Sequence, residues 1–141
     1  MKSKPMLYIP EWLLSFQKEV AGVMLLTQDT GEVICEYRKR YGMSQQEFGE
    51  LMDLRRESIS RIENGGVTPT FDFARKFINA VALIEAIRVE RAQHKEIDVH
   101  FLENLAKELG FNREELELMI KVAVERYDKK LLKIQKSLKG E

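Results

Sequence analysis

Cysteine is almost absent from this chain, and its single copy, Cys35, excludes an internal disulfide and any cysteine-rich metal site. Cys35 falls within a helical pattern, reads as a small apolar group and suits a reducing cytoplasm. An excess of charge of either sign is also missing. The 23 Lys and Arg are balanced by 23 Asp and Glu, whereas domains that bind polyanions indiscriminately are generally basic. Any affinity for nucleic acid must come from where the charges sit. The longest apolar run near the N-terminus, residues 20–26, contains Gly22, is bounded by Glu19 and is too short to span a bilayer. Glu11, Gln17, Lys18 and Glu19 would spoil the apolar core of a signal peptide, so no membrane association is expected, and the location expected is cytoplasmic. His94 and His100 stand six apart across a helix break expected at Ile97-Asp98, which is poor spacing for two metal ligands. With no Ser/His/Asp set, paired carboxylates or phosphate-cradling glycine loop, the expectation is no enzyme, no metal and no cofactor.

What the chain does have is 44% hydrophobic content, enough for one compact domain or for a small domain with an added helical module. Its most informative stretch is residues 43–66. Ser44 with Glu47 three residues later spells a capping box, starting a helix that turns Phe48, Leu51 and Met52 inward. Asp53-Leu54 interrupts the pattern. A second helix runs from about Arg55 to Asn64, where Gly65-Gly66 can supply positive φ. At about 100° per residue, Ile59 and Ile62 share one face of this second helix, and Arg56, Glu57, Ser60, Arg61 and Asn64 cluster on the other. Arg can fork onto guanine, Glu can accept from cytosine, and Ser or Asn can bond several base edges. The bland alternative is an ordinary solvated helix face. Phe48, Met52, Leu54, Ile59 and Ile62 are expected to be buried.

Residues 31–80 resemble the helix-turn-helix domain of the phage repressor and Cro class, also called the xenobiotic-response-element class. The resemblance rests on Arg38, Gly42, Ser44, Gln45, Phe48, Gly49, Ile59, Ser60, Ile62, Glu63 and Gly65. It implies that Gln45 clamps a phosphate from its helix start and that Arg38 pairs with Glu63 across the core. It also implies that the loop at residues 67–69 passes near the DNA backbone. Ser44, Arg55, Thr68 and Thr70 are then further phosphate candidates, although a helix cap and a loop hydroxyl explain the two threonines equally well. Arg38, Lys39, Arg40, Arg55, Arg56 and Arg61 are expected near the DNA surface, with acids turned away. Three positions depart from the pattern. Gly49 stands where the family usually has Ala, at about 1 kcal/mol of helix propensity, while permitting a close helix crossing. Asp53 stands where the turn usually has Gly, and Asp tolerates left-handed backbone. Arg55 replaces a small polar cap, which weakens that helix start by roughly 0.5–2 kcal/mol.

The rest of the chain reads as helices, so the fold expected is all-α. It has three parts: an N-terminal arm and helix (1–28), the helix-turn-helix domain with a long closing helix (29–96) and a C-terminal helical hairpin (97–141). In the first part, Pro10 is placed as a first helical residue, ahead of Trp12, Leu13, Phe16, Val20, Val23 and Met24. With the Gly31-Glu32 start, this leader is similar to that of a group of archaeal predicted regulators. A helix from Asp29 or Thr30 to Tyr41 follows. After Thr70, a cap, residues 71–95 contain neither Gly nor Pro and form one long helix or two broken near Asn79. Asp98 caps a short helix closed by Gly110, and Asn112 with Glu115 forms a second capping box. Beyond it Ile120, Val124, Tyr127, Leu131, Ile134 and Leu138 alternate steps of four and three, a heptad seam suited to a twin. The Lys residues of the last turns suit a helix C-terminus. The function expected is a dimeric, sequence-specific regulator of transcription on double-stranded DNA. The alternatives are an adaptor or antitoxin-like protein binding another protein through the same helices, and a structural dimerisation module.

Overall fold

A computed structural model of the chain describes residues 9–94 and 96–140, with the side chains of all but Tyr127, Lys130 and Leu131. The arm expected over residues 1–9 therefore lies, Ile9 excepted, outside the described residues. Every regular element among them is helical: α1 (Glu11–Leu26), α2 (Thr30–Arg40), α3 (Gln45–Met52), α4 (Arg56–Glu63), α5 (Phe71–Gln93), α6 (Val99–Leu109), α7 (Arg113–Ile120), a π-helical turn (Lys121–Arg126) and α8 (Tyr127–Leu138).

Short polar side chains set most of the helix starts. Asp29 accepts from Glu32 N at 3.0 Å, Thr70 from Phe73 N at 3.0 Å and Asp98 from Phe101 N at 3.1 Å. Ser44 with Glu47 and Asn112 with Glu115 close complete capping boxes. Each cap satisfies N–H groups that the helix cannot bond internally. Pro10 sits one position earlier than the sequence suggests. It flanks α1, its carbonyl accepting from Leu13 N and Leu14 N at 3.0 Å each.

The 23-residue α5 runs unbroken through the middle of the molecule and contacts α1, α3, α6, α7 and the π turn. Residues 80–84 are buried on all sides, as befits a helix with no solvent face along that stretch. The break considered near Asn79 does not occur. Asn79 spends its polar side chain sideways, accepting from Gln17 Nε2 at 3.0 Å and donating to the Leu109 carbonyl at 3.4 Å, which ties α1 and α6 to α5. Tyr37 of α2 and Phe48 of α3 join Phe73 and Phe77 of α5 in a ring cluster, with centroids 5.7–6.5 Å apart. The buried apolar side chains from Leu13 to Ala123 form one continuous core.

The path from Arg113 to Leu138 is helical throughout, but the π turn interrupts the α-helical phase. The extra residue accommodated there rotates everything after it by roughly 100° relative to an unbroken α-helix. The seam expected from Ile120 to Leu138 is therefore not one straight stripe. Ile120 and Val124 are half-buried against the core, whereas Ile134 and Leu138 are 46% and 82% exposed. The side chains of Tyr127 and Leu131, which would lie between them, are outside the described residues.

Candidate nucleic-acid interface

The α3–turn–α4 unit is built by local chemistry at each step. Asp53 takes the left-handed conformation, with φ 56° and ψ 44°. That reverses the chain after Met52 and lets Leu54 N donate to the Gly49 carbonyl at 2.8 Å. The tightness of the turn accounts for Gly49. A Cβ at this position would stand 2.5 Å from the Leu54 carbonyl oxygen, a backbone atom that cannot step aside. Phe48, Leu51, Met52, Ile59 and Ile62 are buried as expected. Leu54 is not. It is 38% exposed, because the reversed turn leaves its side chain on the rim of a shallow cleft with Ile62, Val67 and Phe73.

α4 begins without a side-chain cap, Arg55 occupying the flanking position. It ends with two bonds, Gly65 N to the Ile62 carbonyl at 3.2 Å and Gly66 N to the Arg61 carbonyl at 2.8 Å, made possible by φ 79° at Gly65. Between these ends the helix divides cleanly. Ile59, Ile62 and Glu63 face the interior, Arg56, Glu57, Arg61 and Asn64 are exposed, and Ser60 is half-buried with its hydroxyl 3.4 Å from Asn64 Nδ2.

Arg38 and Glu63 lie together where α2, α3 and α4 meet, each only 9% exposed. The guanidinium forks onto the carboxylate, Nε to Oε2 at 2.6 Å and Nη2 to Oε1 at 2.9 Å, and its Nη1 donates to the Met43 carbonyl at 2.9 Å. Burial pushes the Glu63 carboxyl up, but the bonds from Arg38 and Gln45 outweigh it and hold the group below the usual carboxylate range. Arg38 is correspondingly raised, chiefly by its bond to Glu63. The approach of α2 to the end of α4 is close enough that a Cβ on Gly31 would stand 2.2 Å from the Ile62 carbonyl oxygen.

The first residue of α3, Gln45, donates from Nε2 to Glu63 Oε1 at 3.1 Å. That bond uses one amide hydrogen, orients the side chain and leaves the other hydrogen for an acceptor. The Ser44 and Thr70 oxygens accept from their capped N–H groups, which leaves each hydroxyl hydrogen to donate outward. Thr68 and Arg55 are exposed. The acids are not all turned away from this side: Glu50 and Glu57 share a shallow cleft with Arg55 and Arg56.

A residue that sequence reasoning passed over completes the region. Arg126, the last of the π turn, forks onto both carboxylate oxygens of Glu47, with Nη1 2.6 Å from Oε1 and Nη2 on Oε2, and Nη1 also donates to the Gly42 carbonyl at 2.8 Å. The bond from Arg126 is the chief reason the Glu47 carboxyl falls to about 2. No local pattern signals this contact, since the partners are 79 positions apart.

Comparison with known proteins agrees with this geometry. Residues 35–82, about a third of the chain, match the family described as Helix-turn-helix. This segment is a helix-turn-helix domain of the repressor and Cro-like class, a DNA-binding domain family. No curated protein and no solved structure matches the chain. Among the described residues no helix is long and apolar enough to cross a membrane, and no group of three or more His, Cys, Asp or Glu could hold a metal ion.

Proposed function

We propose that the chain is a sequence-specific regulator of transcription that binds double-stranded DNA as a homodimer. In this reading α4 lies in the major groove, and two copies read half-sites about one helical turn apart, roughly 34 Å. The observation that carries it is the division of labour on α4. Its inner face is spent on core and on the Arg38–Glu63 pair, while its outer face offers Arg56, Glu57, Ser60, Arg61 and Asn64. Beside it the uncommitted N–H groups of α3 and the oriented Gln45 amide suit a phosphate. Ser44, Arg55, Thr68 and Thr70 supply further backbone contacts. The dimer contact is assigned to α8, whose Leu132, Ile134 and Leu138 are exposed in the single chain.

The test is a competition assay at fixed salt over a randomised duplex library. Gln45→Ala weakens all duplexes alike. Arg56→Ala and Arg61→Ala each cost about 1–3 kcal/mol on the preferred site and relax one base position. Glu57→Ala raises non-specific binding and lowers discrimination. A base-preference profile unchanged by all four substitutions would transfer the lead to the adaptor reading, in which the same helices bind a protein. The acids Glu50 and Glu57 beside Arg55 and Arg56 are what favour that second reading.

A further inference from the structure

Glu47 stands in the first turn of α3, the turn assigned above to a DNA phosphate. Its carboxylate is useful to the helix, because Oε1 accepts from Ser44 N at 3.0 Å and completes the cap. For a phosphate it is a poor neighbour, since like charges a few ångströms apart repel. The chain resolves this conflict from far away. Arg126 covers both carboxylate oxygens, and its third bond, to the Gly42 carbonyl, fastens the residues that lead into α3. The aliphatic stem lies along the same backbone, with Cδ 3.8 Å from where a Cβ on Gly42 would be. The π turn aims it. In an unbroken α-helix Arg126 would point roughly 100° away from Glu47.

We infer that Arg126 is a positioning residue for DNA binding, carried by the C-terminal extension: it cancels the Glu47 charge and pins the start of α3, so that Ser44 and Gln45 can receive a phosphate. The inference rests on the DNA-binding reading above. It also joins the helix assigned to the dimer contact to the helix assigned to the phosphate, since α8 continues directly from Arg126.

The experiment compares full-length wild type, R126Q, R126K, E47Q and the double variant R126Q/E47Q. Fluorescence anisotropy with a labelled random-sequence duplex is measured across a salt series, and urea unfolding of each protein identifies conditions where all are folded. E47Q keeps a side chain able to cap, while freeing the Arg126 charge. The expected order of affinity is E47Q tightest, then wild type, then the double variant, which regains the charge balance but lacks the bond to Gly42, and R126Q weakest by roughly five- to tenfold at low salt. R126K retains most of the binding because it retains the charge. The salt slope of R126Q matches that of wild type, since no phosphate contact is lost. An R126Q protein that binds as tightly as wild type overturns the inference and leaves the DNA reading standing. A double variant as weak as R126Q, with its salt slope reduced by about one, also overturns it by making Arg126 itself the phosphate contact. Wild type that binds no duplex at any salt overturns both.

Discussion

The helix-turn-helix unit and the C-terminal extension solve opposite problems with the same kind of element. In α2–α4 the buried polar groups satisfy one another within the unit, Arg38 with Glu63 and Met43, and Glu63 with Gln45. What remains exposed on α4 is polar and rich in donors. In α7, the π turn and α8 the order is reversed. The first half buries Leu116, Met119, Val122 and Ala123 in the common core, and the second half leaves Ile134 and Leu138 in solvent. The first region is finished as a surface, and the second still has apolar area to cover. The π turn divides the buried half from the exposed half, and Arg126 at its end is where the two regions hold each other.

The sharpest test of this contrast is where the chain can be cut. Ending it before Glu114 removes four buried side chains whose loss would cost about 2–5 kcal/mol for each large one, comparable with the whole stability of a small domain. That protein is expected not to fold, which circular dichroism and urea titration would show. Ending it after Arg126 is expected to leave the fold intact and shift the sedimentation coefficient to that of a monomer. A dimer that survives the second cut would place the contact elsewhere.

Within the helix-turn-helix unit, Glu63→Ala strands the Arg38 guanidinium in the interior and is expected to cost about 3–5 kcal/mol in urea unfolding. Replacing both partners together, with Met at 38 and Leu at 63, should cost less than the single change. A single variant as stable as wild type would mean that the pair contributes nothing. Gly49→Ala comes next. Helix propensity alone favours it by about 1 kcal/mol, but the added methyl meets the Leu54 carbonyl at 2.5 Å. The steric term should win, giving a net loss of about 1–3 kcal/mol.

Smaller effects probe the junction and the exposed end. The Glu47 carboxyl is depressed from 4.5 in its ordinary state to about 2 by Arg126, so it stabilises the fold above the ordinary value. That contribution should be fully present above about pH 5 and drain away as pH falls towards 2. In R126Q the acid limb of the stability curve should be shallower. An identical limb would show that the Glu47–Arg126 pair does not couple to folding. Last, Leu138→Ser at an 82% exposed site should change unfolding free energy by less than about 0.5 kcal/mol in dilute solution, while weakening self-association at high concentration.

Much of this was legible in the residues. The caps at Ser44, Thr70, Asp98 and Asn112, the glycine ends at Gly42, Gly65 and Gly110, and the inward faces of α3 and α4 follow from interactions spanning about four residues. The family resemblance added the neighbourhood of Arg38, Gln45 and Glu63. Four features were not legible. Leu54 fits an apolar pattern, yet its exposure depends on how the turn is aimed. Asn79 looks like a helix breaker until Gln17 and the Leu109 carbonyl occupy its amide. The heptad count from Ile120 to Leu138 is regular in sequence, but the π turn changes the rotation per residue. Arg126 carries no local mark of its role.

The order of residues alone was enough to specify the all-helical class, nearly every helix start and stop, and the chemical character of the exposed face of α4. These depend on side chains reaching their own backbone a turn away, and on a period of 3.6 that the order of residues specifies directly. Folding added that α5 runs unbroken, that Gly49 must lack a side chain, that the C-terminal stripe bends, and that a guanidinium at residue 126 meets a carboxylate at residue 47. The meeting of residues 126 and 47 depends on segments far apart in the chain, a distance that exists only once the core around α5 has closed, while the Gly49 contact and the bent stripe depend on turn geometries that the residue pattern leaves open.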